Sequence, residues 1–189
     1  MSDRPRCYFA FRSPYSRLGL HKLAASEAGR KVQLIVFTGP AGGAPFADPA
    51  ANPHKLAYYR QDVLRTTMAM RLPLALPSPF DIDFTAANRA FVAADRQGKG
   101  LAFALAVSDA RWGEGRNVSD IGVLTDCAQA AGWEGYDPRA IAHDETISQT
   151  LTDQRALIEA DGVFGVPFLV DGAEKFWGQD RFDIWLAAR

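Results

Sequence analysis

The 189 residues carry 48% apolar, 11% aromatic and 23% charged side chains, with 21 Lys and Arg against 22 Asp and Glu for a net charge of −1. That balance belongs to one globular domain, or one domain with a sizeable insertion, and excludes a disordered or collagen-like chain. The charges form no basic block, so a surface that tracks nucleic-acid phosphates is excluded as well.

Cys7–Phe11 is short and aromatic, and Val32–Phe37 is β-branched and ends at Thr38-Gly39-Pro40, so both read as strands. Between them Leu18, Leu20, Leu23 and Ala24 recur at helical spacing. Ser13-Pro14 opens this helix as N-cap and first-turn proline, and Gly29 closes it. The opening is therefore β-α-β with a right-handed crossover. Residues 39–54 are rich in Gly, Ala and Pro and read as a loop. Helices are expected over Lys55–Met70, Thr85–Arg96, Gly100–Arg111, Asp120–Ala131 and Asp144–Asp161, separated by Pro73, Pro77, Pro79, Gly98 and the stretch 132–138. Val166–Val170 and Lys175–Trp177 are short apolar runs joined by Asp171-Gly172-Ala173-Glu174, a hairpin signal, and Arg181–Ala188 is a final helix.

That order predicts an α/β, thioredoxin-like fold with a mixed four-stranded sheet. Residues 1–40 and 162–189 form its two halves, and residues 41–161 form an all-helical insertion. The longest apolar run, Leu101–Val107, is far too short to span a bilayer. Met1–Arg6 leads into the first strand without the apolar region of a secretory signal, so a cytoplasmic protein with no membrane partner is expected. Cys7 and Cys127 are too far apart for a CxxC pair and are expected to be buried free thiols. His21, His54 and His143 show no ligand spacing, so no metal is expected.

Three segments carry chemistry. Ser13-Pro14-Tyr15-Ser16 fills the strand-to-helix junction where this architecture would place a CxxC, which excludes dithiol exchange there. A hydroxyl beside free amides at a helix N-terminus suits an anion such as a thiolate; the alternative is that Ser13 only caps the helix. Pro167 opens an apparent strand, which a cis Val166–Pro167 bond would explain by exposing the Val166 backbone to a peptide-like ligand; the alternative is an ordinary trans proline. Gly178-Gln179-Asp180-Arg181 begins the last helix, where amides favour a carboxylate and Asp180 can pair with an ammonium or simply cap. Arg181 is equally a partner for Asp183 or Glu174. Lys55, Tyr58, Asp62 and Arg65 share one face of the first inserted helix, by default a solvated one.

With Phe11-Arg12-Ser13-Pro14-Tyr15-Ser16, Trp112-Gly113-Glu114-Gly115, Gly162–Pro167 and Phe176-Trp177-Gly178-Gln179-Asp180-Arg181 in place, the chain resembles the 2-hydroxychromene-2-carboxylate isomerase and kappa-class glutathione transferase family of the DsbA-like thioredoxin superfamily, nearly end to end. The resemblance implies glutathione, or another low-molecular-weight thiol, as cofactor. It places the Ser13 hydroxyl on the sulfur, Val166 and Pro167 on the cysteinyl unit, and Asp180 with Gln179 and Arg181 on the γ-glutamyl end. Lys55 would reach the glycine carboxylate, and Tyr15 and Trp112 would face a small aromatic substrate, although a tryptophan buried in the helical core fits Trp112 equally. The implied activity is glutathione-dependent isomerisation of 2-hydroxychromene-2-carboxylate or a related aromatic by reversible thiolate addition. A kappa-like transferase and a non-catalytic thioredoxin-like binding protein are the alternatives, and a homodimer is the implied assembly. The chain departs from the family pattern at Ala10, at Arg17, at Asp83 and at Pro45-Phe46, where an amide contact to the tripeptide would have to move, for example to Asn52.

Overall fold

The structure is a computed structural model and describes residues 4–45 and 51–189; Phe46 lies outside the described residues. In chain order the elements are β1 (Arg6–Phe9), α1 (Pro14–Ala24), α2 (Glu27–Arg30), β2 (Gln33–Val36), α3 (Pro53–Ala69), α4 (Thr85–Arg96), α5 (Gly100–Trp112), α6 (Ile121–Ala130), α7 (Pro138–His143), α8 (Glu145–Asp161), β3 (Phe168–Asp171), β4 (Glu174–Trp177) and α9 (Arg181–Ala187). The four strands form one mixed sheet in the order β2-β1-β3-β4. β1 runs parallel to β2, with Tyr8 beside Ile35, and antiparallel to β3, with Tyr8 beside Phe168. β3 and β4 make the expected hairpin, Asp171 opposite Glu174.

Period-two alternation sends the strand side chains to two cores. On one face Tyr8, Ile35, Phe168 and Val170 pack with Val163 and with Ile158 of α8, so α8, although it falls inside 41–161, covers the sheet. On the other face Cys7, Phe9, Leu34, Val36 and Leu169 join Leu20 and Leu23 of α1, Phe91 of α4, Phe103 of α5 and Phe182 and Trp185 of α9. Both cysteines are buried and free. Burial drives the Cys7 thiol pKa up strongly and pushes that of Cys127 up to about 12, so neither supplies a reactive thiolate. No helix among the described residues is long and apolar enough to cross a membrane.

Several boundaries differ from the sequence reading for local reasons. β1 stops at Phe9 because the Ala10 N–H donates to Ser16 Oγ at 3.2 Å while Ala10 O accepts from Ser13 N, which turns the chain. β3 starts at Phe168 because Pro167 has no N–H to donate to a ladder. Gly29 does not end a long first helix but sits within α2, where a Cβ would fall 2.2 Å from Leu23 O. Helix α7, absent from the sequence reading, is capped by Asp137, whose side chain accepts from Arg139 N and Ala140 N, with Pro138 in the first turn.

Candidate functional site

The site is organised around the N-terminal half of α1. Ser13 sits at the N-cap with extended backbone (φ −99°, ψ 116°), and its Oγ accepts from Ser16 N at 3.1 Å. Capping uses a lone pair of that oxygen and leaves its proton to donate; among the described residues no acceptor takes it. Pro14 has no N–H and that of Ser16 is capped, so the Tyr15 N–H is the remaining donor of the first turn. The two readings of Ser13 are thus compatible: one oxygen caps the helix and can still face an anion.

The Val166–Pro167 bond is cis, as the strand-opening proline suggested, and Pro167 O accepts from Gly178 N at 2.9 Å. The contact with α1 is made at Gly19, where a Cβ would lie 2.9 Å from Phe182 Cε2 and 3.3 Å from Pro167 Cγ. Only a residue without a side chain lets the turn and α9 approach so closely. Among the described residues no group hydrogen-bonds the N–H or C=O of Val166. Beyond the turn, Lys22 of α1 donates to Gln179 O at 3.1 Å and pairs with Asp183 at 2.6 Å, which staples the start of α9 to α1. Gln179 is buried. Asp180 makes no cap bond; its carboxylate lies 2.5 Å from Arg181 Nη1, and both side chains are exposed. Asp180, then, is the partner of Arg181, in place of the Asp183 or Glu174 considered from sequence, and the Arg181 N–H is already bonded to Gly178 O.

On the other side lie the elements between β2 and β3. Tyr15 donates to Asp62 of α3 at 2.5 Å and packs edge-on against Tyr59. Asp62 also accepts from Arg65 at 2.8 Å and from Tyr58 at 3.3 Å. Burial alone would raise the Asp62 pKa, but the donors, Tyr15 first, hold it below the ordinary carboxylate value, while burial and Asp62 push the Tyr15 phenol up. The sequence placed Asp62 and Arg65 on a solvated face; the structure makes Asp62 the link from α3 to α1. Lys55 is exposed in the first turn of α3, and its backbone N–H, like that of His54, donates to Asn52 Oδ1. That side-chain oxygen therefore caps α3.

Arg17, at the position where the chain departs from its resemblance, is 1% exposed. Its Nε donates to Asp109 of α5 at 2.6 Å and its Nη1 to Pro73 O at 2.7 Å. Nη2 is buried against Gly113 with no acceptor among the described residues, and a Cβ on Gly113 would fall 2.9 Å from it. His21 Nε2 shares Asp109 at 2.8 Å. Burial works against ionisation of Asp109, yet His21 and Arg17 hold its carboxyl below the ordinary value. Trp112 is only 4% exposed and donates Nε1 to Phe11 O at 2.9 Å, so it belongs to the core that supports the corner. The exposed ring beside it is Phe80, set edge-on at 6.1 Å. Phe80 belongs to a segment pinned by buried Arg111, which donates to Pro79 O and Phe80 O, and by the Arg12–Asp81 pair. Sequence reasoning missed Arg12, Phe80, Asp81, Asp109 and Arg111; an arginine beside Ser13 was the one visible signal. Two hollows of about 360 and 480 Å³ share Trp133, Glu134 and Gly135 and take no lining from this corner.

A DSBA-like thioredoxin domain model matches residues 6–188. The chain is 26% identical over 186 residues to a 2-hydroxychromene-2-carboxylate isomerase of Sphingobium xenophagum, covering 94% of this chain and 93% of that one. Among solved structures, a 2-hydroxychromene-2-carboxylate isomerase superposes with a TM-score of 0.72 at 22% identity, over 97% of this chain and 93% of that one. The cytosolic disulfide reductase DsbM of Pseudomonas aeruginosa with GSH superposes with a TM-score of 0.66 at 17% identity, over 98% and 96%. At these identities the superpositions speak to the fold.

Proposed function

This chain belongs to the family of DSBA-like thioredoxin domains, and from that premise we propose that it is a glutathione-dependent isomerase of 2-hydroxychromene-2-carboxylate or a related aromatic compound. The carrying observation is the pairing of a Ser13 hydroxyl that retains its proton with an unbonded Val166 backbone on the cis turn packed against the same helix. Such a corner offers a hydrogen bond to a thiolate and a short strand to a cysteinyl peptide, but no second sulfur for disulfide exchange. The sequence relative named as an isomerase supports the reaction class, and the neighbour bearing GSH supports the thiol.

In this reading the thiolate adds to an electrophilic carbon, rotation follows about the bond that addition has made single, and expulsion of the thiolate breaks the new C–S bond and regenerates glutathione. A thiol with the ordinary pKa of about 8.5 is only a few per cent ionised at pH 7; lowering it by about two units is worth roughly 2.7 kcal/mol. The Ser13 hydroxyl and the Tyr15 amide at the α1 N-terminus are the donors available for that shift. Residues 1–40 and 162–189 would hold the tripeptide, with Asp180 exchanging Arg181 for the γ-glutamyl ammonium and Lys55 of the insertion taking the glycine carboxylate. Calorimetric titration with glutathione tests this. Binding is expected, weakened by roughly 1 to 3 kcal/mol in Asp180→Asn and in Lys55→Met; absence of binding to the unmodified protein overturns the reading.

A further inference from the structure

We infer that Arg12 and Phe80 form the acceptor half of this site, Arg12 taking the carboxylate of an aromatic acid whose ring lies against Phe80, with Asp81 as the internal carboxylate that the ligand displaces. The inference deepens the proposed function and rests on it for the reaction, though not for the binding.

Arg12 precedes Ser13 in the turn between β1 and α1, so its backbone belongs to the same corner as the N-cap. Its Nη2 lies 2.9 Å from Asp81 Oδ1. The Asp81 carboxylate stands in for a ligand carboxylate and shows that the arginine can receive one there. It is also easily displaced: the Asp81 side chain is 78% and that of Arg12 44% exposed, and ion pairs so open to water add little stability. Exchange swaps one carboxylate for another and returns Asp81 to solvent, so no charge is stranded. A second cation strengthens the local field. Arg111 is fully buried, and burial together with the nearby Arg12 charge lowers its guanidinium to about 10, where it remains protonated at neutral pH. Arg111 and Arg12 both act on the Asp81 carboxylate.

The ring site has its own construction. Phe80 is 59% exposed, yet it is not loose: Arg111 holds the carbonyls of Pro79 and Phe80, Asp81 is tied to Arg12, and Trp112 backs the ring from beneath. A large aromatic kept in water by a buried arginine and a neighbouring ion pair is positioned to stack. Phe80 and Asp81 are adjacent in the chain, so a ring on the first and a carboxylate in place of the second describe one compact aromatic acid. Aromatic pairing then supplies contact and the guanidinium supplies orientation.

The test uses cinnamate and its neutral analogue cinnamamide, titrated into the full chain without glutathione. Cinnamate is expected to bind about tenfold more tightly than cinnamamide, as a hydrogen-bonded charge pair implies. Arg12→Gln should erase that ratio, Asp81→Asn should tighten cinnamate alone by removing the internal competitor, and Phe80→Ala should weaken both probes alike. Equal affinities in the unmodified protein, no binding of either probe, or a ratio that survives Arg12→Gln overturns the inference. Glutathione is absent throughout, so the proposed thiol chemistry stands or falls on its own titration; cinnamate that behaves as described while glutathione fails to bind would leave an aromatic-acid site without that reaction.

Discussion

The two sides of α1 differ in how closely backbone approaches and in how many polar pairs they carry. Toward the cis turn and α9, Gly19 brings Pro167 and Phe182 directly against the helix, and one polar staple, Lys22 on Gln179 O and Asp183, holds the start of α9 beside them. Toward the elements between β2 and β3, a hydrocarbon contact of Leu20 and Leu23 with Phe91 and Phe103 is joined by several long polar pairs, Arg12 to Asp81, Tyr15 to Asp62, and Arg17 with His21 to Asp109. Close-packed backbone has one arrangement, because interiors resist small changes of volume. Side-chain pairs can exchange partners while the backbone stays in place. In the proposed function the thiol, constant in shape, is assigned to the first side, and the acceptor to the second.

The largest way to break this comparison is at Asp109. Asp109→Ala strands the buried Arg17 guanidinium and should cost about 3 to 5 kcal/mol in urea unfolding, with much of the loss recovered in Arg17→Met/Asp109→Leu. A cost near zero would show that the polar side carries no structural weight. Gly19→Ala follows, at about 1 to 3 kcal/mol, since its Cβ must displace Phe182 and Pro167. Ser13→Ala should cost about 1 kcal/mol as a lost cap, and here activity separates from stability: thiol-dependent turnover should fall far more than that figure implies. The smallest effect is at Asp62, where Asp62→Asn should cost under about 1 kcal/mol at pH 7. Its carboxyl is held below the ordinary value in the folded state, so its contribution is present above the unfolded pKa of about 3.9 and lost as pH falls through the lower folded pKa. Urea midpoints of the parent and Asp62→Asn should therefore converge below about pH 4; a gap that widens there would contradict the assigned partners.

The same division explains what the sequence disclosed. Elements written in local chemistry were readable: Ser13-Pro14 opens α1, Asp171-Gly172 turns the hairpin, Pro167 marks the cis turn, and Thr85–Arg96 matches α4 at both ends. Helix α7 carried a readable signal too, Asp137 as cap and Pro138 in the first turn, but in six residues it passed for a breaker. The polar side was not readable, because Tyr15 and Asp62 are 47 positions apart and Arg17 and Asp109 are 92, and no periodicity links such partners. Trp112 shows the limit from the other direction: the resemblance set it against a substrate while a buried core position fitted as well, and only the bond to Phe11 O and the exposed neighbour Phe80 separate the two.

The central claim is that Ser13 and the first turn of α1 stabilise a glutathione thiolate. It is tested most directly by following the ultraviolet absorbance of the thiolate against pH for glutathione saturating the unmodified protein and Ser13→Ala. The account predicts a bound thiol that titrates about two units below its ordinary value of about 8.5 in the unmodified protein and moves back toward that value in the variant. Bound glutathione that titrates like free glutathione, or a lowered value that Ser13→Ala leaves unchanged, would contradict it.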